Sequence, residues 1–269
     1  DKALQNSNIS SLPKYCDLIP FPKQIYKRML PDLVRQAKGW VEERKKLPNT
    51  IVHLLEKRAI PELISLNKKI RPNPKETASS LTDLLSSVEG ITLSLQGPPG
   101  TGKTTVTAEL IARLVRNNKR VAVSSQTHEA INNLLKYVQN KADSLLIKPS
   151  IVKLSSGTSE KNDKTYFSGT KVQSLREKDL RDQPNVLGAT IFSLVKERFS
   201  EKTYDLLVID EAGQVSLSNL LYMSHCARNI LLVGDQNQLS QPNRAKHRGD
   251  SGLSCLEYIM GEEKVVPSD

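Results

Sequence analysis

Residues 97–104 read Gly97-Pro98-Pro99-Gly100-Thr101-Gly102-Lys103-Thr104, a full match to the phosphate-cradle pattern G-x-x-x-x-G-K-[ST]. No other stretch constrains the fold as strongly, because such a loop works only between a strand and a helix. The neighbours comply. The apolar run Ile91-Thr92-Leu93-Ser94-Leu95 precedes the loop and reads as a buried strand, and Val106, Leu110, Ile111, Leu114 and Val115 follow on one helical face. The glycines let backbone N–H groups turn inward onto phosphate oxygens, and the helix start adds its positive dipole end. Lys103 is then placed to reach the β- and γ-phosphates of a nucleotide, and the Thr104 hydroxyl to ligate Mg2+, with Thr105 next in line on the nucleotide. A chance glycine-rich turn is the bland alternative, and the agreement of motif with context argues against it.

From about residue 90 apolar runs and helical patterns alternate, with strands expected at 91–96, 120–125, 145–153, 186–190, 204–210 and 229–234. That alternation, behind the phosphate loop, predicts an α/β fold of the P-loop NTPase kind: a parallel sheet with helices on both faces. The nucleotide-binding domain is expected over 76–269, interrupted at 155–184 by a polar, charge-rich stretch that reads as a mobile insertion or long loop. Ahead of it, residues 1–22 read as an irregular lead-in. Residues 23–75 read as a basic helical arm or stalk, closed by the linker Arg71-Pro72-Asn73-Pro74. A packing layer on the core is the alternative for the arm.

Charge bears on partners. The chain of 269 residues carries a net charge of +10, and residues 23–75 hold 14 Lys/Arg against 5 Asp/Glu, nearly the whole excess. A basic arm before a nucleotide-binding core suggests a surface for a phosphate backbone, although a basic balance also serves solubility. Cys16, Cys226 and Cys255 are too far apart in sequence to suggest a metal site or a disulfide framework, which fits a reducing cytoplasmic setting. No apolar run approaches the ~18 residues of a spanning helix, so no membrane partner is expected. The chain starts without Met and is expected to be a piece of a longer protein.

A second constellation lies downstream. Leu206-Leu207-Val208-Ile209 leads into Asp210-Glu211-Ala212-Gly213-Gln214. An apolar strand ending in Asp-Glu delivers two carboxylates to the edge where parallel sheets build their sites. Asp210 is the expected Mg2+ partner, through water, and Glu211 the group that orients and deprotonates an attacking water. Ile230-Leu231-Leu232-Val233 ends in Gly234-Asp235-Gln236-Asn237-Gln238-Leu239. There Gln238, with Gln214, is placed to sense a γ-phosphate, where a lone polar turn would be the bland reading. Asn140-Lys141-Ala142-Asp143 matches a guanine-reading pattern, but it follows an apparent helix where that pattern needs a strand end, so it is set aside as a helix end and turn.

The ordered set GPPGTGKT, Ser124-Ser125-Gln126-Thr127-His128-Glu129-Ala130-Ile131-Asn132-Asn133-Leu134-Leu135, DEAGQ and GDQNQL resembles superfamily 1 helicases. It is closest to the 5′→3′ branch that includes RNA-decay helicases and replication helicase–nucleases, and looks most like bacterial helicases fused to a RecB-like nuclease. The resemblance covers 91–269 well and 1–90 poorly. It implies a first RecA-like motor domain using ATP and Mg2+. Ser125, Thr127, His128, Asn132 and Thr190 would then contact the backbone of single-stranded nucleic acid, DNA favoured over RNA. Hydroxyl and amide side chains at a helix start donate to phosphates without reading bases; Thr127 is equally an N-cap. A second RecA-like domain in cis, supplying arginine fingers, and a RecB-like nuclease domain are implied partners. The adenine-reading glutamine of the family has no firm counterpart, with Gln24 the candidate. An AAA+-type remodelling ATPase is the runner-up. It also carries GPPGTGKT and a strand ending in DE, but not the T-H-x-A-I-x-x-L segment.

Overall fold

The computed structural model describes residues 31, 34–35, 38, 41–42, 49–56, 73–155, 159–194, 204–235 and 253–260. The lead-in 1–22, Gln24, Gln238 and most of the arm lie outside these residues. Seven strands form one all-parallel sheet: β1 Thr92–Gln96, β2 Val121–Ser124, β3 Ile151–Leu154, β4 Gln173–Leu175, β5 Val186–Gly188, β6 Tyr204–Ile209 and β7 Ala227–Gly234. Their spatial order is β1-β7-β6-β2-β5-β3-β4. The α-helices are α1 Asn49–Leu55, α2 Pro74–Ser87, α3 Lys103–Arg116, α4 His128–Ser144, α5 Ser159–Tyr166, α6 Ile191–Leu194, α7 Leu217–Met223 and α8 Cys255–Met260, with short 3-10 turns at Glu177–Asp179, Ala212–Gln214 and Ser224–Cys226.

The central strands are apolar at successive positions because both faces of the sheet are covered. Leu206 and Val208 of β6 enter one core with α2, α3 and α4, whereas Leu207 and Ile209 enter the other with α7 and α8. Strand β7 divides likewise, Leu231 and Val233 on one side and Ile230 and Leu232 on the other. This is the two-residue pleat expressed as two cores. A buried Glu109 on α3 joins the helical layer, pairing with Arg113 at 2.9 Å and with Lys141 of α4 at 3.3 Å.

Three segments differ from the sequence reading. Asn73-Pro74, read as linker, starts α2: the Asn73 side chain accepts from the Lys75 amide at 3.0 Å and Pro74 opens the helix, where a missing N–H costs nothing. The strand expected from residue 145 starts only at Ile151, because α4 runs to Ser144 and Leu146 turns left-handed at φ 56. The stretch 155–184, read as a mobile loop, carries α5 and β4. Strand β4 extends the sheet by pairing with β3, and Phe167, Val172 and Leu180 are buried. Within the arm, Ile51 and Leu54 of α1 are buried, and the Thr92 hydroxyl donates to the Thr50 carbonyl at 3.1 Å. This short helix is therefore a layer on the sheet. Pro31, Val34, Arg35, Lys38, Val41 and Glu42 are helical and exposed.

Gly188 ends β5 beneath α4. A Cβ there would meet Leu135 Cδ1 at 2.5 Å and Ile131 Cγ2 at 2.8 Å, both in a filled core. Gly188→Ala is expected to lower stability by about 1–3 kcal/mol, read as a fall in the urea midpoint at unchanged m value. An unchanged midpoint would show that α4 yields at no cost.

Candidate active site

Four strand ends meet at the carboxyl edge: β1 with the loop 97–102, β7 with Asp235, β6 with 210–214, and β2 with 125–127. The register holds them together, since β7 pairs with both β1 and β6, and β6 pairs with β2. Strand order places β7 between the loop strand and the acidic strand. The Gly97 amide donates to the Gly234 carbonyl at 3.3 Å, tying loop to β7.

The loop has the backbone it needs. Gly100 and Gly102 sit at φ 80 and φ 87, the left-handed region that side chains disfavour. Gly102 precedes α3 without a side-chain cap, so the first amides of that helix remain available to an anion. The Lys103 ammonium turns back into the loop, donating to the Gly97 carbonyl and to the Pro98 carbonyl at 2.8 Å. Thr101 closes the turn by donating to Pro98 O at 2.8 Å. Thr104 and Thr105 follow half-buried in the first turn of α3, and Pro98, Pro99 and Gly97 shape the approach.

Opposite stands the acidic pair. Burial pushes the Asp210 carboxyl up to about 6; the hydrogen bond from the Glu211 amide opposes this, the Glu211 charge adds to it and the Lys103 charge opposes it. Glu211 adopts φ 55 and ψ 42, a conformation costing a non-glycine residue about 1–2 kcal/mol. The turn 212–214 is pressed onto β7. A Cβ on Gly213 would lie 3.1 Å from the Asp235 carbonyl, and one on Gly234 3.2 Å from the Ala212 amide. Gln214 is half-buried, its amide bonded to Glu211 O at 2.9 Å.

The Asp210 shift has a sign that can be measured. Its folded value of about 6 lies above the ordinary 3.8, so the native state holds the proton more tightly. That contribution is present at low pH and is lost as pH rises through the window between those values. Above it the buried charge costs on the order of 1–3 kcal/mol. Asp210→Asn should therefore unfold at a higher temperature than wild type near pH 8, with the gap closing by about pH 4. A gap independent of pH would mean that the carboxylate is not the cause.

The segment after β2 was expected to touch nucleic acid, and the structure sorts its members. Thr127 is exposed and caps α4, accepting from the Ala130 amide at 3.2 Å. His128 is half-buried beside it. Thr190, half-buried after the neighbouring β5, shares a 3.4 Å hydrogen bond with Ser193. Two residues are placed against the expectation of a direct contact. Ser125 is 1% exposed and its hydroxyl donates to Glu211 Oε2 at 3.5 Å; Asn132 is 5% exposed and donates to Asp163 at 2.8 Å. Both face inward, the Ser125 hydroxyl toward Glu211 and the Asn132 Nδ2 toward Asp163.

Sequence reading missed two features. Gln126 donates to the Gln214 carbonyl at 2.8 Å, so adjacent residues of the 125–127 segment both reach the acidic turn. Lys153, fully buried in β3, lies 3.5 Å from Asp163. A lysine inside the apolar run Ile151–Leu154 was the one available signal, since a buried cation requires a partner.

The family model described as an AAA domain matches residues 76–249. The Saccharomyces cerevisiae protein named DNA replication ATP-dependent helicase/nuclease DNA2 is 32% identical over 182 residues, covering 67% of this chain and 11% of that protein. Its human namesake is 27% identical over 228 residues, covering 80% of this chain and 21% of that protein. The chain thus spans about a tenth to a fifth of the length of these relatives. The UvsW helicase from bacteriophage T4 aligns at 16% identity over 61% of this chain and 53% of that chain, with a TM-score of 0.36, too low to bear on the argument. No described helix is long and apolar enough to cross a membrane. With loop, acidic turn and capped helix gathered at one edge of an all-parallel sheet, the chain belongs to the AAA domain family, as a RecA-like motor domain of the superfamily 1 helicase kind.

Proposed function

We propose that the chain is the ATP-hydrolysing first motor domain of a DNA helicase of the 5′→3′ branch, acting in the cytoplasm on single-stranded DNA. One observation carries the reading: the segment that ends in the exposed cap Thr127 is hydrogen-bonded, through Ser125 and Gln126, to the turn bearing Glu211. The expected strand-contact edge and the water-activating carboxylate are thus neighbours by two bonds, the arrangement a strand-stimulated hydrolase needs. The DNA in the printed names of the relatives favours DNA over RNA as the track.

Gly97–Thr105 would cradle ATP, Glu211 would take the proton of the attacking water, and Gln214 and Gln238 would sense the γ-phosphate. The residues also fit Mg2+. Asp210 carries a buried charge that a divalent cation would neutralise, and Thr104 supplies a hydroxyl oxygen, a donor pair suited to a hard ion that phosphates also hold. Bound there, the ion would offset charge on the phosphates. A second RecA-like domain, carrying arginine fingers, and a RecB-like nuclease domain are the partners in cis, so this chain alone would turn over slowly and not translocate.

The test is ATP hydrolysis by the full protein with and without single-stranded DNA or RNA, with Glu211→Gln as the blank. Stimulation by DNA, lost in the variant, supports the reading. Turnover indifferent to both polymers would overturn it in favour of a protein-remodelling ATPase.

A further inference from the structure

A buried polar cluster underlies the start of α4. Lys153 of β3 is 0% exposed. Its ammonium meets His128 Nδ1 at 2.9 Å, the Leu154 carbonyl at 2.7 Å and Asp163 Oδ2 at 3.5 Å. Asp163, on α5, accepts from Asn132 at 2.8 Å and from the Ser155 hydroxyl at 2.6 Å. Because Ser155 gives its proton to Asp163, the 2.7 Å contact with Ser174 must be donated by Ser174 of β4. Ser155, α5 and β4 are thereby tied to the first turns of α4.

The proton inventory of this cluster is decided by chemistry. An ammonium has donors and no lone pair. The nitrogen facing it must therefore be the unprotonated one, and the ring proton of His128 resides on Nε2. The Asp163 carboxyl is pushed up by burial, but the donors Asn132 and Ser155 and the Lys153 charge outweigh this and hold it ionised. Burial pulls the Lys153 ammonium below its ordinary value, and the Asp163 charge and hydrogen bond oppose that pull. His128 is lowered by burial first and by Lys153 second, with Asp163 opposing. From the elements packed against it, Lys153 on β3 and Asp163 on α5 are the charged groups, and Glu129 neighbours it on its own helix. His128 keeps 38% of its side chain exposed, next to the exposed cap Thr127.

We propose that Lys153 is a positioning residue that fixes His128 as a neutral Nε2–H donor at the strand-facing end of α4, with Asp163 on α5, Ser155 and β4 as its support. This rests on the reading of that edge as the single-strand contact. A neutral donor bonds a phosphate or sugar oxygen without adding a cation to the interface. Strand affinity then gains nothing from histidine protonation as pH falls from 8 to 6, and His128 contributes no share of the salt slope.

The proposal is tested on the full protein with a fluorescent oligo-dT strand, without nucleotide. His128→Ala should weaken binding roughly tenfold, with an unchanged dependence on salt. Wild-type affinity should carry no histidine step between pH 8 and 6. Lys153→Met should restore one: with Nδ1 freed beside the Asp163 anion, His128 takes up a proton and affinity climbs several-fold toward pH 6. Should Lys153→Met fail to fold, 15N-histidine spectra of the unaltered chain decide, the His128 signal being assigned by its loss in His128→Ala. An Nε2–H tautomer persisting to pH 6 supports the proposal, and an Nδ1–H tautomer or a titration near the ordinary histidine value overturns it. If His128→Ala binds DNA as wild type does while the tautomer stands, the strand-contact reading of this edge has failed and the tautomer assignment has not.

Discussion

A Glu211→Gln variant of the full protein will hydrolyse ATP about 10²–10⁴-fold more slowly and still bind it. The change is nearly isosteric. Gln can occupy the same left-handed backbone and can accept from Ser125, whose hydroxyl lies 3.5 Å from the carboxylate. The fold and the phosphate loop should therefore be left in place, and only the capacity to accept a proton is removed. The strained backbone at φ 55 is the reason to single out this carboxylate, because strain of this kind persists only where surrounding structure enforces it. Phosphate release measures kcat, and a fluorescent ATP analogue measures binding. Turnover within about threefold of wild type would move the base elsewhere. Asp235, buried at the end of β7, is the next carboxylate along the same edge.

The link from Ser125 to Glu211 would also give the proposed strand stimulation a physical route. Ser125 and Gln126 follow β2, and Thr127 caps α4. Force on the exposed cap reaches Glu211 through two residues of backbone and one hydrogen bond. On the proposed function, a single strand that drew Thr127 or His128 outward would bias the Ser125 contact directly, and the coupling would require no long relay. The β2–β6 pairing, where the Asp210 amide donates to the Ser124 carbonyl at 2.9 Å, gives the movement a fixed frame.

Local pattern made the centre of the molecule legible. Strands such as Leu206–Ile209 and Ile230–Val233 are apolar at every position, and the loop 97–104 dictates its own strand and helix, so the sheet and the meeting of loop and acidic turn at its carboxyl edge followed. Pattern failed where long-range partners decide. Asn73-Pro74 has linker composition, yet a cap and a first-turn proline are made of the same residues. The strand Gln173–Leu175 has no alternation to read, because an edge strand of three residues takes its register from β3. Asn132 and Ser125 are polar residues in a segment that resembles a backbone grip, and only the fold shows that each is turned onto a carboxylate 31 and 86 positions away. Lys153 meets His128 and Asp163 from 25 and 10 positions away, a pairing no periodicity can announce.

Lys103→Ala will remove both steps that Glu211→Gln separates, binding and hydrolysis. The ammonium is the one flexible cation placed inside the loop, held by the Gly97 and Pro98 carbonyls, and it faces the Asp210 charge closely enough to lower that carboxyl's shift. Those carbonyls are acceptors that a phosphate cannot satisfy, so the lysine must swing from them to the nucleotide, trading neutral partners for an anion. Removing one such preorganised charge costs about 10²–10³-fold in turnover, and here ground-state affinity falls with it. Stability should change little, since Lys103 is only half-buried and its carbonyl partners lie at the loop surface. Nucleotide titration and phosphate release on the same preparation, with a melting curve as control, separate the cases. A variant that binds ATP normally but turns over slowly would confine Lys103 to the transition state. One that melts early would make the lysine a strut of the loop. Loss of binding with an unchanged melt is the result the geometry requires, because α3 begins without a side-chain cap and its amides alone must then hold the phosphates.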